Sequence, residues 1–249
     1  MIPNKNLSIL IVGATGATGR LLIAQLLSAG QRLKIIVRST SHVPDTWHRN
    51  ENITLIRVND ITCISLNEIS EHLKDCRAVA SCLGHSPNFK GIYGKPRELV
   101  NTTIQLLCSA ILKNAPEIPV RFILMNTAGN SNRDLNEKVS FGQKILISLL
   151  RLLLPPHPDN EKAADYLRVK IGQKNPLIEW VIVRPDSLTD AERVSGYSLH
   201  TSPTRSAVFN PGQTSRINVA HFMARLLTDD TICAKWKGQM PVIYNNDKL

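Results

Sequence analysis

Gly13-Ala14-Thr15-Gly16-Ala17-Thr18-Gly19 follows directly on the apolar run 7–12 and opens into a helical pattern. That placement gives the glycines a physical task. A tight turn needs residues that accept positive φ, and a backbone without Cβ atoms lets a phosphate come close. The helix behind it offers free N–H groups and a positive end to that charge. A G-x-x-G-x-x-G between strand and helix therefore predicts a dinucleotide site, with Gly13, Thr15, Gly16, Ala17, Thr18 and Gly19 against the pyrophosphate.

Outward from the turn, residues 17–29 carry Leu21, Leu22, Leu26 and Leu27 at helical spacing and stop at Gly30, a C-cap residue. The runs 33–37 and 53–58 are short and rich in branched residues, like strands buried on both faces of a parallel sheet. Strands are also predicted at 78–82, 120–125 and 180–183, with helices at 96–114 and 138–173 between them. A helix at 219–228 and a strand at 240–244 complete the pattern. The expected fold is α/β: a single Rossmann domain over 1–249, a doubly wound and mostly parallel sheet with helices on both faces. Residues 186–216, rich in Ser, Thr, Pro and Gly, are expected to form a substrate-side loop region.

The bulk composition fits one sizeable core. Among 249 residues, 43% are apolar and 20% charged, which sets aside the disordered and fibrous classes. A formal charge of +10 would suit an acidic partner, but the basic residues are scattered singly, so nucleic-acid binding is not expected. Five cysteines without a C-x-x-C pair read as reduced thiols of a cytoplasmic protein. The longest greasy run, 145–154, is interrupted by Arg151 and stopped by Pro155-Pro156, too short to span a membrane. No metal-ligand spacing and no G-x-S-x-G elbow is present.

The preference between the two nicotinamide dinucleotides is read at the end of the second strand. An acid there holds a ribose 2'-hydroxyl, and a base accepts a 2'-phosphate. Arg38 stands there, followed by Ser39 and Thr40, so NADP(H) is the expected cofactor. The plainer reading is an exposed strand-end charge.

With these residues in place, the chain resembles the atypical short-chain dehydrogenase/reductases, the branch of NmrA-like proteins and biliverdin and flavin reductases. The resemblance rests on Gly13 to Gly19 with Arg38, on Asn59-Asp60, on Ser81-Cys82-Leu83-Gly84 and on Trp180-Val181-Ile182-Val183-Arg184-Pro185. Ser215-Arg216-Ile217-Asn218-Val219-Ala220 is similar to the family's late helix start, with Asn218 in place of Asp. The resemblance implies Asp60 and Ile61 against the adenine, and Cys82, Leu83 and Gly84 beside ribose and phosphates. Pro185 belongs to the same cofactor-contacting set. Asp60 reads equally well as a cap for the turn after it.

That superfamily's usual acid is a Tyr four residues before a Lys. Tyr166 and Lys170 have this spacing, but counted back from Arg184-Pro185 the family's Lys position falls on Lys162, and Pro158 stands four before it. In that register Lys162 holds the nicotinamide ribose, the acid Tyr is lost, and Tyr166 is a packing residue. Thr127 keeps a hydroxyl at the end of the fifth strand, where relatives carry serines. His85 is the best-placed proton source and His157 the next. Each has a plainer reading: Lys162 as a solvent-facing lysine, Thr127 as a turn residue, His85 as a structural histidine. Two functions stay open. One is an NADPH-dependent oxidoreductase passing hydride to a small conjugated or carbonyl acceptor. The other is a non-catalytic, NmrA-type NADP-binding sensor with a protein partner. Either suits a monomer or homodimer.

Overall fold

The computed structural model describes residues 7–85, 89–135, 137 and 141–246. In chain order its strands are β1 (Ser8–Val12), β2 (Leu33–Arg38), β3 (Ile53–Val58), β4 (Cys76–Ser81), β5 (Val120–Met125), β6 (Ile178–Pro185), β7 (Ser187–Thr189), β8 (Tyr197–His200), β9 (Gln213–Ser215) and β10 (Val242–Asn245). The helices are α1 (Ala17–Ser28), α2 (Asp45–His48), α3 (Leu66–Leu73), α4 (Phe89–Tyr93), α5 (Leu99–Asn114), α6 (Phe141–Leu153), α7 (Pro156–Asp165), α8 (Arg216–Thr228) and α9 (Asp230–Trp236).

Eight strands make one sheet in the order β3-β2-β1-β4-β5-β6-β10-β8, and β7 pairs with β9 apart from it. Every pairing in the large sheet is parallel except β10 with β8. This is the doubly wound fold expected. Alternate residues of each strand feed opposite faces: Leu10, Val12, Phe122 and Ile182 pack with α3, α5 and α7, while Ile9, Ile11, Ile123 and Val183 pack with α1 and α8. β1 has β2 on one side and β4 on the other. The chain therefore changes direction there and leaves a crevice beyond the carboxyl ends of both.

Several elements differ from expectation. The helix expected over 138–173 is interrupted at Pro155-Pro156: α6 ends at Leu153, and α7 restarts with Pro156 at its first position, where a missing N–H costs nothing. Residues 138–140, its expected start, lie outside the described residues. A π-helical stretch, Tyr166–Ile171, follows and ends at Gly172 with φ 78°. The helix expected at 96–114 begins at Leu99, and α4 precedes it. The 186–216 region carries β7, β8 and β9. α3 was open to prediction, because Ser65 and Glu68 form the S-x-x-E pattern and the Ser65 hydroxyl accepts from the Glu68 N–H.

Among the described residues, no helix is long and apolar enough to cross a membrane. Cys63 is exposed and the other four cysteines are buried, all unbridged.

Candidate functional site

Gly13 leaves β1 at φ 75°, and a Cβ added to it would meet the Cys82 carbonyl carbon at 2.3 Å. The two strand ends are that close because Val12 pairs with Ser81, and the Cys82 N–H donates to Val12 O at 2.9 Å. Gly19 is needed for a different contact: its Cβ would stand 2.3 Å from Gly13 O, where the first turn of α1 closes on the loop. Gly16 differs again. It is the N-cap of α1 with no side-chain capping bond, and its Cβ would meet only Gly13 O, at 3.3 Å. The first two glycines serve the protein's own packing, while Gly16 leaves open space over an uncapped helix end carrying no acidic residue in its first turn.

That space is part of a cavity of about 680 Å³ along the crevice. Gly13, Thr15 and Gly16 form its floor, Arg38 and Ser41 one end, and Asp60, Ile61, Cys82, Leu83, Gly84 and His85 its walls. Ala17, Thr18, Gly19, Thr127, Lys162 and Pro185 lie outside this lining. Arg38 ends β2 with its side chain exposed. Asp60 caps the short 3-10 turn Ile61–Cys63, its Oδ1 accepting from the Thr62 N–H at 2.9 Å and the Thr62 hydroxyl at 2.8 Å. The cap reading and a place in the cavity wall thus hold together. Burial pushes the Cys82 thiol up to about 12, which keeps it protonated and unreactive.

Both ring nitrogens of His85 are engaged: Nε2 lies 2.8 Å from Asp159 Oδ2, and Nδ1 lies 3.1 Å from Gly91 O. Asp159, on α7, is buried, and also accepts the Val100 and Asn101 N–H groups at 2.9 Å each, capping α5. The hydrogen bond that the ring donates to Asp159 raises the His85 pKa against the opposing effect of burial. Lys162, one turn further along α7, ion-pairs with Glu98 just before α5. That partner, first, and Asn101 second hold the Glu98 carboxyl below its usual range. α7 therefore grips the segment after β4 at two points, Asp159 on His85 and Lys162 on Glu98.

At the end of β5, Asn126 Nδ2 donates to Asn160 O at 2.9 Å and its Oδ1 accepts the Thr127 N–H at 2.9 Å. Thr127 Oγ1 accepts from the Gly129 N–H at 3.2 Å, a bond that leaves its O–H hydrogen for another acceptor. His157 borders the same turn, 3.9 Å from where a Gly129 Cβ would be. Its Nε2 is 3.4 Å from Glu161 Oε1. Burial would raise Glu161, but His157 and the bidentate Arg151 outweigh it and hold the carboxyl at about 2. Tyr166 packs against the core around α5, and burial pushes its phenol up, the wrong direction for an acid at neutral pH.

Sequence reasoning missed one polar group of consequence. Arg184 is fully buried, and its guanidinium donates to Met240 O, Asn130 O, Thr201 O and both oxygens of Glu137. Five N–H groups thereby meet five acceptors. Arg184 was visible only as part of the Val183-Arg184-Pro185 motif, and nothing in the sequence pairs it with a residue 47 positions away. Asn218 explains its own departure from the family pattern: its Nδ2 donates to Ser195 Oγ at 2.9 Å and to Asn245 Oδ1 at 2.8 Å, and an Asp has no donor for that amide oxygen. Among the described residues, no group of three His, Cys, Asp or Glu side chains is arranged to hold a metal ion.

The model of a family described as NAD(P)H-binding matches residues 13–230. No curated protein matches the chain in sequence. Similar solved structures include the oxidoreductase ylbE of Lactococcus lactis, at 20% identity and TM-score 0.69, covering 97% of this chain and 92% of that one. A wide-type short-chain dehydrogenase/reductase of Veillonella parvula in complex with NADP has 17% identity and TM-score 0.68, covering 96% and 94%. The anaerobilin reductase ChuY of Escherichia coli has 15% identity and TM-score 0.63, covering 97% and 98%. At these identities the likeness is one of fold.

Proposed function

The chain belongs to the NAD(P)H-binding family, and on that premise we propose that it is an NADPH-dependent oxidoreductase acting on a small conjugated or carbonyl acceptor. One observation carries this reading: the cavity runs from the exposed cation Arg38, which has no ion-pair partner among the described residues, over Gly16 and the uncapped start of α1, to the Cys82–His85 wall. Its floor suits a pyrophosphate and its basic end a 2'-phosphate. NADPH supplies the hydride. The protein's part is to bind, orient and shield.

In this reading Arg38 takes the 2'-phosphate, and the backbone of Gly13 to Gly19 takes the pyrophosphate. Ile61 lies against the base, with Asp60 beside it. The nicotinamide end points toward β5 and β6, where Thr127 offers its hydroxyl to the acceptor's oxygen or the cofactor amide, and Pro185 closes the site. Lys162 holds the ribose after leaving Glu98. His85 serves as a charged wall, and a proton from its Nδ1 requires the bond to Gly91 to open. Residues 186–216 form the acceptor's side of the same domain, and the setting is cytoplasmic.

The engagement of Lys162 by Glu98 and of both His85 nitrogens also suits a second reading, a binding protein that reports the NADP pool without turnover. Titration calorimetry with NADPH and NADH tests the first step, on wild type and Arg38→Ala. Arg38→Ala is expected to weaken NADPH about tenfold or more and to spare NADH. Equal losses for both discard the assignment. Absorbance of the reduced nicotinamide with flavin, quinone and enone acceptors then separates the two readings, because oxidation by any of them establishes the reductase.

A further inference from the structure

The strand next to β2 carries a cation that the reading of Arg38 leaves unused. Arg57 pairs in register with Val37, one position before the Arg38–Val58 pair. Its side chain is exposed, and Nη1 donates to Ser39 O at 3.3 Å and Ser41 O at 3.4 Å. Those carbonyls belong to the turn after Arg38, closed by the Ser41 N–H donating to Arg38 O at 2.8 Å and anchored by the Ser39 N–H donating to Val58 O at 2.7 Å. Ser41 lines the cavity beside Arg38. Among the described residues Arg57 makes no ion pair, although fourteen such pairs involve Lys, Arg or His elsewhere.

We propose that Arg57 is a specificity-determining residue for the cofactor's 2'-phosphate, acting with Arg38 from the neighbouring strand. This rests on the NADPH reading above. Arg57 acts in two ways. It draws the Ser39 and Ser41 carbonyls toward itself, which turns those acceptors away from a phosphate that they would repel. It also adds a second positive charge at the end of the cavity where a phosphomonoester would lie. A ligand without that phosphate gains from neither, so Arg57 affects the choice between the two dinucleotides and leaves binding of the shared part alone.

The test uses the full chain and calorimetric titration with adenosine 2',5'-bisphosphate against adenosine 5'-monophosphate, and with NADPH against NADH. Arg57→Ala is expected to weaken each 2'-phosphorylated ligand about tenfold and to leave its partner ligand unchanged. That unchanged partner also shows that the variant is folded. Arg57→Gln, which can still donate to the carbonyls, should recover part of the loss; Arg57→Lys should recover the charge-dependent part, seen as salt sensitivity. If Arg57→Ala keeps the full preference for the 2'-phosphorylated ligands while Arg38→Ala abolishes it, the Arg57 assignment is overturned and the NADPH reading stands. If wild type shows no preference between the pairs, the NADPH reading fails and takes the assignment with it.

Discussion

The His85 imidazole and the Asp159 carboxylate meet at 2.8 Å with 5% and 1% of their side chains exposed, joining the end of β4 to α7 through a carboxylate that also caps α5. The other ring nitrogen faces a carbonyl, so both must carry hydrogen for both contacts to be attractive. The pair therefore favours the imidazolium form of His85, and the hydrogen bond to Asp159 raises its pKa. The sign follows from linkage: the pair's contribution is fully present below the unfolded value near 6.5 and is lost as pH rises through the higher folded value. Urea unfolding of wild type and His85→Gln should show a stability gap at about pH 6 that narrows as the pH is raised above it. A gap independent of pH would show the ring to be neutral.

The two glycines at the ends of the Gly13–Gly16 turn should fail in different ways. Gly13→Ala places a methyl 2.3 Å from the Cys82 carbonyl carbon at a positive φ, and should cost on the order of 3 kcal/mol in thermal or urea unfolding. Gly16→Ala meets only Gly13 O at 3.3 Å and should cost about 1 kcal/mol or less. Its methyl stands in the cavity, so NADPH affinity should drop sharply in a protein that is still folded. Full affinity in Gly16→Ala would move the pyrophosphate elsewhere.

Glu98→Gln tests whether Lys162 is held back from the cofactor. The pair is exposed on both sides and is worth little to stability, so melting temperature should stay within a few degrees. NADPH should bind a few-fold more tightly once the ammonium is free, and Lys162→Ala should lose affinity. Unchanged binding in both variants would leave Lys162 as a surface lysine.

Glu137→Gln probes the buried partner of Arg184. Removing one charge of an ion pair exposed by 0% and 3% leaves the other unmatched, at a cost of about 3–5 kcal/mol in urea unfolding. A loss under about 1 kcal/mol would mean that the four carbonyl and amide contacts suffice without the carboxylate.

The parallel sheet and the glycine turn were legible because both are written locally: branched apolar runs make strands, and Gly13 to Gly19 stand between one of them and a helix. The position of Arg38 was legible for the same reason, since it closes the branched run of β2 at the strand's carboxyl end. Asp159 was not, because its four-residue neighbourhood, Asp159-Asn160-Glu161-Lys162, looks like a solvated helix start, and only the fold brings α5 and His85 to it. The same holds for Glu137 with Arg184 and for Arg57, whose partners come from the next strand's turn. The break between α6 and α7 was readable at Pro155-Pro156, because a proline ring cannot continue a helix interior. Periodicity reports which face of an element is apolar; it is silent on which distant polar group will satisfy a buried one.

Arg184 bears on how the polypeptide can be made. Its acceptors sit at Asn130, Glu137, Thr201 and Met240, on both sides of it in order of synthesis. A ribosome that has just delivered β6 presents a guanidinium with two of its partners still untranslated. The strand cannot take its dry place in the sheet until about 55 further residues emerge. The Gly13 turn takes its close contacts from β1, α1 and Cys82 and can set early, whereas α8, which covers Ile9 and Ile11 of β1, comes only near the end of translation.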